Sequence, residues 1–429
     1  MDIPSPRPPL PTDGSIARAA SAAADSLRPL LIDDRRYFHA HPELGWEERE
    51  TTARSAERLA ALGYRVTLGE ALLRGATRMG VPDGADVPTG CVAEIDSGRP
   101  GPTVALRVDL DALPIQEAER GHRPSAEGWA SSRPGLMHAC GHDGHIAIGL
   151  AVARLMAVIM PTASGKMRLL FQPAEEGTRG ARSFVDAGWL ADVDMLLAFH
   201  IGLGVPSGTV ALGTSGFLAT RKYRAILAGR SAHAGQSPES GRSALLCACQ
   251  TALALHNLAQ TSAPGVRVNV GTLRAGRALN VVPDRAELGF ELRAAGQSTL
   301  DELSRRALHL VNAMAHAHEN TATVTMTGEA TSWRNDPGLA EWAKQIAASG
   351  KIFSHHRMEH DFAASEDATL MLRAVRQRGG HAAYFVLGAN LAGAHHTPQF
   401  DFDERVLIDG TALMVALLQT FVLYGVDRY

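Results

Sequence analysis

TVALRVDL at 103–110, a helical run at about 143–159 and KMRLLFQ at 166–172 read in order as strand, helix, strand. The two apolar runs are short and bounded by Gly or Pro, as buried strands are. Working outward, CVAEID at 91–96 precedes them, and a helix near 179–187, MLLAFHI at 195–201 and GTVALG at 208–213 continue the alternation. That alternation predicts an α/β layer on a mostly parallel sheet. Upstream, residues 13–62 carry apolar side chains at three- and four-residue spacing, broken by the turn HAHPELGWE, with a helix predicted at 47–62.

The texture changes near Gly216. A strand (KYRAILAG, 222–229), a helix (244–258), two strands (VRVNVGTLRAG, 266–276; AELGFELRA, 286–294), a helix (299–319) and a last strand (TATVTMTGEA, 321–330) follow. Ser298 with Asp301 three positions on predicts a capping box at the start of the second helix. The β-α-β-β-α-β order is that of a ferredoxin-like unit. After Ser332 helices and strands return, including AAYFVLG at 382–388. The expected organisation is a catalytic domain of residues 1–215 plus 331–429, with a 216–330 domain inserted in it.

A chain of 429 residues exceeds what one core supports. Its net charge of −3 and pI near 6.7 leave no basic excess, which argues against nucleic acid or an anionic membrane as the main partner. A small-molecule partner is favoured. Four cysteines, at 91, 140, 247 and 249, do not make a disulfide framework and suit a reducing compartment, so the expected location is cytoplasmic. The opening MDIPSPRPPLPTDG has prolines where a secretion signal needs an apolar run, and reads as a loose lead-in. The apolar tail at 411–424 is shorter than a span of about 20 residues and reads as a packed terminal helix.

The chemistry concentrates in MHACGHDGH (137–145), which sets His138, Cys140, His142, Asp143 and His145 before a helix and after a sheet strand. Open α/β proteins build sites at the C-terminal ends of such strands. Thiolate and imidazole two residues apart suit a borderline-soft divalent ion. QPAEEGTRG (172–180) adds Glu175 and Glu176 just past another strand. Adjacent carboxylates repel unless cations or divergent side chains relieve them, so one can bind metal while the other holds a proton. His200 ends the strand LLAFHIG, and His395 and His396 lie in a later loop. Alone, each has a plain reading as a core or surface group; together they supply Cys, His and Glu for two metals.

With those residues in place, the chain resembles the M20 family of metallopeptidases and amidohydrolases, in the branch that carries HACGHD. The resemblance runs from RRYFHAHPELGWEE (35–48) to HHTPQFDFDE (395–404), through FQPAEEGTRGAR, SAHAGQ and SEDATLM. It implies two divalent ions, Mn2+ or Zn2+, bridged by Cys140 and completed by His142, Glu176, His200 and His396. It implies Glu175 as catalytic base, and Asp109 as the aspartate that steadies a metal-binding imidazole. Arg107 stands where other branches have a histidine ligand, so His142 must serve instead. In the inserted domain, expected to act in closure and dimerisation, it implies that His233 reaches a partner's site and that Asn280 and Arg293 grip a substrate carboxylate.

The implied reaction is amide hydrolysis of an N-acyl amino acid. p-Aminobenzoyl-glutamate is the first expectation, with indole-3-acetyl-aspartate or broader N-acyl amino acids as the alternative. A homodimer, or a heterodimer with a related subunit, is expected. A catalytically silent ligand-binding or scaffolding subunit is the non-enzyme alternative.

Overall fold

A computed structural model describes residues 14–82, 84–85 and 87–424, so most of the expected lead-in lies outside the described residues. The strands are β1 Arg65–Thr67, β2 Cys91–Asp96, β3 Thr103–Asp109, β4 Lys166–Gln172, β5 Met195–Ile201, β6 Thr209–Ala211, β7 Thr214–Ser215, β8 Ala219–Ala228, β9 Arg267–Ala275, β10 Arg285–Ala294, β11 Thr321–Ala330, β12 His355–Arg357, β13 His360–Asp361 and β14 His381–Leu387. The chain divides into two compact units: residues up to Ser215 with Arg334–Phe362 and from Leu370 on, and Gly216–Trp333 with Ala363–Thr369.

In the first unit eight strands form one sheet in the order β1-β2-β4-β3-β5-β14-β6-β12. Its centre, β4-β3-β5-β14, is parallel, whereas β1, β2 and the β14–β6 pairing are antiparallel. β3 and β5 are buried along their whole length. That is why they read as continuous apolar runs rather than as an alternation. Because β3, β4, β5 and β14 run the same way, the segments after Asp109, Gln172, Ile201 and Leu387 all leave the sheet at the C-terminal ends of these strands.

The helices His142–Ile159 and Arg405–Tyr424 pack on each other and on β3 and β5 in the main core. Both are long and apolar enough to cross a membrane, and most of each is buried in this unit, as core helices are. The terminal helix starts at Arg405, earlier than its apolar tail suggested. Upstream, the chain forms the helices Ser15–Ser26, Arg28–Ala40 and Arg49–Ala61.

The second unit is an antiparallel sheet of order β11-β8-β10-β9. With the helices Ala244–His256 and Gln297–Ala317 it has ferredoxin-like topology. Alternate residues of β10, from Ala286 to Ala294, are buried against those helices. One local expectation fails: the second helix is capped by Gly296 without a side-chain bond, and Asp301 instead accepts a hydrogen bond from the Gln297 side chain at 2.9 Å. Helix formation begins one residue before Ser298, which puts Ser298 inside the first turn and out of capping position.

Candidate metal centre

Gly141, at φ 91, turns the chain so that His142 becomes the first residue of its helix, with Cys140 just ahead of it. A side chain at Gly144 would meet Phe402 at 2.6 Å and Ile201 at 2.8 Å, so the first helical turn packs tightly there only because it lacks one. His142 Nδ1 lies 2.7 Å from the Asp111 carbonyl. A carbonyl only accepts, so Nδ1 carries the proton and Nε2 presents a lone pair. That Nε2 is buried and has no hydrogen-bond partner. His200, in β5, repeats the pattern: Nδ1 donates to the Ile201 carbonyl at 2.8 Å, and Nε2 faces Cys140 Sγ at 3.4 Å.

The adjacent glutamates sit in a turn that the chain folds at some backbone cost. Ala174 and Thr178 adopt left-handed conformations at φ 53 and φ 61. Asp111 compensates, its two carboxylate oxygens accepting the backbone N–H groups of Glu175 and Glu176, each at 2.9 Å. Glu48 accepts the preceding Ala174 N–H at 2.8 Å. Burial, and next the Asp111 charge, push the Glu48 carboxyl up to about 8. His396 is also left-handed, at φ 62, and its N–H donates to the Ala139 carbonyl at 2.8 Å, one residue from Cys140. Its Nε2 is 3.2 Å from Glu176 Oε1, close enough for charge but not aligned as a hydrogen bond, so that buried oxygen keeps no hydrogen-bond partner.

The donor atoms of Cys140, His142 and His200 lie within 4.8 Å of one another, as do those of Cys140, Glu176 and His396. The two sets share the thiol. His142, Glu175 and Glu176 form a further such group. Sulfur, imidazole and carboxylate donors with unpaired buried atoms fit a pair of divalent cations. The field agrees: burial alone would lower the His142 imidazole, yet Asp109 and Asp111 raise it well above its usual range. A negative field that favours a proton at Nε2 favours a cation there.

Asp109 holds a different imidazole from the one next to the thiol. It accepts from His145 Nδ1 at 2.6 Å and pairs with Arg107, while His142 Nε2 stays 3.8 Å away. Burial opposes the Asp109 charge, but His142, His145 and Arg107 overcome it and hold the carboxyl well below its usual range. His145 Nε2 accepts the Ile201 N–H at 3.1 Å, which fixes β5 just where His200 leaves it. The partner of His142 is therefore Asp111, which sequence reasoning passed over. No side-chain pattern could have signalled it: Asp111 lies past the end of β3 and holds His142 through its backbone carbonyl.

His233 and Asn280 lie in the second unit. Both are exposed, and Ala234 N–H donates to the Asn280 carbonyl at 3.0 Å, so these two segments are brought together. Arg293 is half-buried on β10 and bonded to Glu291 on the same strand, at 2.6 and 3.1 Å.

The profile of peptidase family M20/M25/M40 matches residues 105–420. An indole-3-acetyl-aspartic acid hydrolase of Enterobacter agglomerans is 44% identical over 89% of this chain and 93% of its own length. One of the subunits of the p-aminobenzoyl-glutamate hydrolase of Escherichia coli is 43% identical over 89% and 94%. Among solved structures, an aminobenzoyl-glutamate utilization protein from Klebsiella pneumoniae superposes with a TM-score of 0.80 at 35% identity, covering 94% of this chain and 98% of that one. A dinuclear metal-binding peptidase of the M20 family from Bacillus subtilis gives 0.66 at 25% identity, over 93% and 99%. The chain belongs to peptidase family M20/M25/M40 and is a metal-dependent amidohydrolase of that family.

Proposed function

We propose that this enzyme hydrolyses the amide bond between an aromatic acyl group and an acidic amino acid, with p-aminobenzoyl-glutamate as first substrate and indole-3-acetyl-aspartate as second. The observation that carries this reading is the pair of donor sets meeting at the Cys140 thiol, with Glu175 beside them. The acyl and amino acid classes come from relatives at 43–44% identity that are named for those two compounds.

In this proposal Cys140, His142, Glu176, His200 and His396 would hold two divalent ions, Mn2+ or Zn2+, with the Cys140 thiol common to both donor sets. Such a pair would acidify a water molecule and polarise the scissile carbonyl. Glu175 takes the proton as water oxygen bonds to the carbonyl carbon, then passes it to the amide nitrogen as the C–N bond breaks. The products are a free acid and an amino acid. Glu175 suits this because its backbone N–H is held by Asp111 and the residue is buried, 8% exposed.

The second unit is assigned the closing and dimerisation role. Asn280 and Arg293 bind the carboxylate of the leaving amino acid, for which a guanidinium fork is well shaped. Arg293 must then exchange its bond to Glu291 for one to substrate. His233 of a second protomer steadies the developing oxyanion. A dimer, with a copy of this chain or a related one, is supported by β9, which lies at the sheet edge with most of its residues exposed, and by exposed Leu246 and Leu253 on the neighbouring helix. Cysteines at 91, 140, 247 and 249, all free, support a cytoplasmic location.

The deciding experiment measures amine release from p-aminobenzoyl-glutamate, indole-3-acetyl-aspartate and simple N-acetyl amino acids with added manganese or zinc. A kcat/KM at least tenfold higher for p-aminobenzoyl-glutamate is expected. Preference for N-acetyl amino acids would overturn the aromatic-acyl assignment.

A further inference from the structure

Arg35 has a side chain that is 0% exposed and makes three separate charged bonds. Nε donates to Asp143 Oδ2 at 2.9 Å, Nη2 to Asp401 Oδ1 at 2.7 Å, and Nη1 to Glu404 Oε1 at 3.1 Å. The guanidinium also packs on the rings of Trp129 and Phe402, at 4.5 and 4.3 Å. Asp143 is the second residue of the helix that His142 opens. Asp401 closes the base of the loop that carries His396: its carbonyl accepts the Ala392 N–H at 2.9 Å, next to the Leu391–Phe402 bridge. Arg35 and Asp401 stand 366 positions apart in sequence.

Other cations touch only one side of this arrangement. His39 bonds Asp143 at 2.9 Å and Glu117 at 2.9 Å. Arg123 bonds Asp401 at 2.7 and 2.9 Å and Glu404 at 3.0 Å. Of these three cations, only Arg35 joins the helix start to the loop. His396 adopts a left-handed backbone that needs support from its surroundings. A planar guanidinium aims three bonds in fixed directions, which an ammonium point charge does not.

We propose that Arg35 is a positioning residue of the metal centre, setting the spacing between His142 and His396 through Asp143 and Asp401. The inference rests on the reading of those two histidines as ligands. Groups that orient ligands from behind alter affinity by about 10–100-fold when lost, and that is the effect expected of Arg35.

The test uses the full chain and titrates Zn2+ against a chromophoric chelator, with the visible spectrum of the Co2+-loaded protein as a second readout. Arg35→Lys should weaken the weaker-bound ion about 10–100-fold and alter the cobalt bands. Arg168→Lys is the control: that guanidinium is comparably buried and bonded to Glu94 and Asp192, near the start of β4 and away from the ligands. It should lower the melting temperature while leaving Zn2+ affinity and cobalt spectrum at wild-type values. If Arg35→Lys does not fold, Asp401→Asn decides, with a smaller shift of the same kind expected. Wild-type affinity and an unchanged cobalt spectrum in the folded variant would overturn the proposal. His396→Ala separates the two levels: if it leaves metal stoichiometry intact, the ligand reading itself fails, whatever Arg35 does.

Discussion

His142 and Asp111 are joined by a 2.7 Å hydrogen bond from ring Nδ1 to backbone carbonyl, while the Asp111 carboxylate holds the turn of Glu175 and Glu176. One residue thus sets both the tautomer of a proposed ligand and the backbone of the proposed base. Asp111→Asn separates these functions. The carbonyl remains for His142, but an amide offers one acceptor oxygen where two N–H groups need one each. The NH2 group then faces a buried N–H, at a cost of about 1–3 kcal/mol. A lower melting temperature is expected, with kcat down more than KM rises, as read by thermal denaturation and steady-state kinetics.

Glu175→Ala should reduce kcat by at least about 10²–10⁴-fold, the usual worth of a positioned acid–base group. Metal content, read by elemental analysis, should stay at the wild-type level, because the five proposed ligands are untouched. A variant with near-normal turnover would remove Glu175 from the role of base.

Much of this arrangement was legible in the chain and some was not, for identifiable reasons. The segments that carry the proposed ligands could be picked out because Cys140, His142 and Glu176 each flank an apolar strand or helix, His200 lies at the end of one, and His396 follows one. The supporting residues could not, because their meaning depends on contacts between distant segments: Arg35 and Glu48 stand at the two ends of RRYFHAHPELGWEE, and nothing local in it assigns either a role. Asp109 was matched to a ligand-steadying role by its motif alone. Only the fold shows that the imidazole it holds is His145. The capping box at Ser298 was a local rule overridden by one residue of helix register.

Glu48 gives a pH signature in the metal-free protein. Its carboxyl is buried and raised to about 8, against about 4.3 in an unfolded chain. Between those values the native state holds a proton that the unfolded state has lost, so stability falls as pH rises from about 4.3 towards 8. The slope can reach about 1.4 kcal/mol per pH unit. Glu48→Gln mimics the protonated form, with its oxygen accepting the Ala174 N–H and its NH2 group facing Thr89 Oγ1. Urea unfolding under chelator should show the variant gaining on wild type as pH rises through this window. A constant difference would mean that Glu48 titrates normally.

The acid side has the opposite sign. Burial opposes ionisation of Asp401 and Glu404, but their bonds to Arg35, Arg36 and Arg123 prevail and lower both carboxyls. Their contribution is complete above the unfolded values of about 3.9 and 4.3 and is lost as pH falls through the depressed folded ones. Asp401→Asn should therefore be less stable than wild type at pH 7, with the gap narrowing below about pH 4. Parallel curves in chelator-treated urea melts would show that the network carries no charge-dependent stability.

A shared site makes a prediction that no single chain can meet. If His233 acts on the partner's substrate, His233→Ala and Glu175→Ala homodimers are each deficient at both sites. A mixed dimer then has one site with intact Glu175 and with His233 supplied by the other chain, so random mixing returns about a quarter of wild-type activity: half of the assemblies are mixed, and each has one good site of two. Co-expressing the two variants with different tags and purifying the doubly tagged species should yield about half. Activity no greater than the sum of the parent variants would place His233 outside the partner's site, and its exposure on the second unit would then need another explanation.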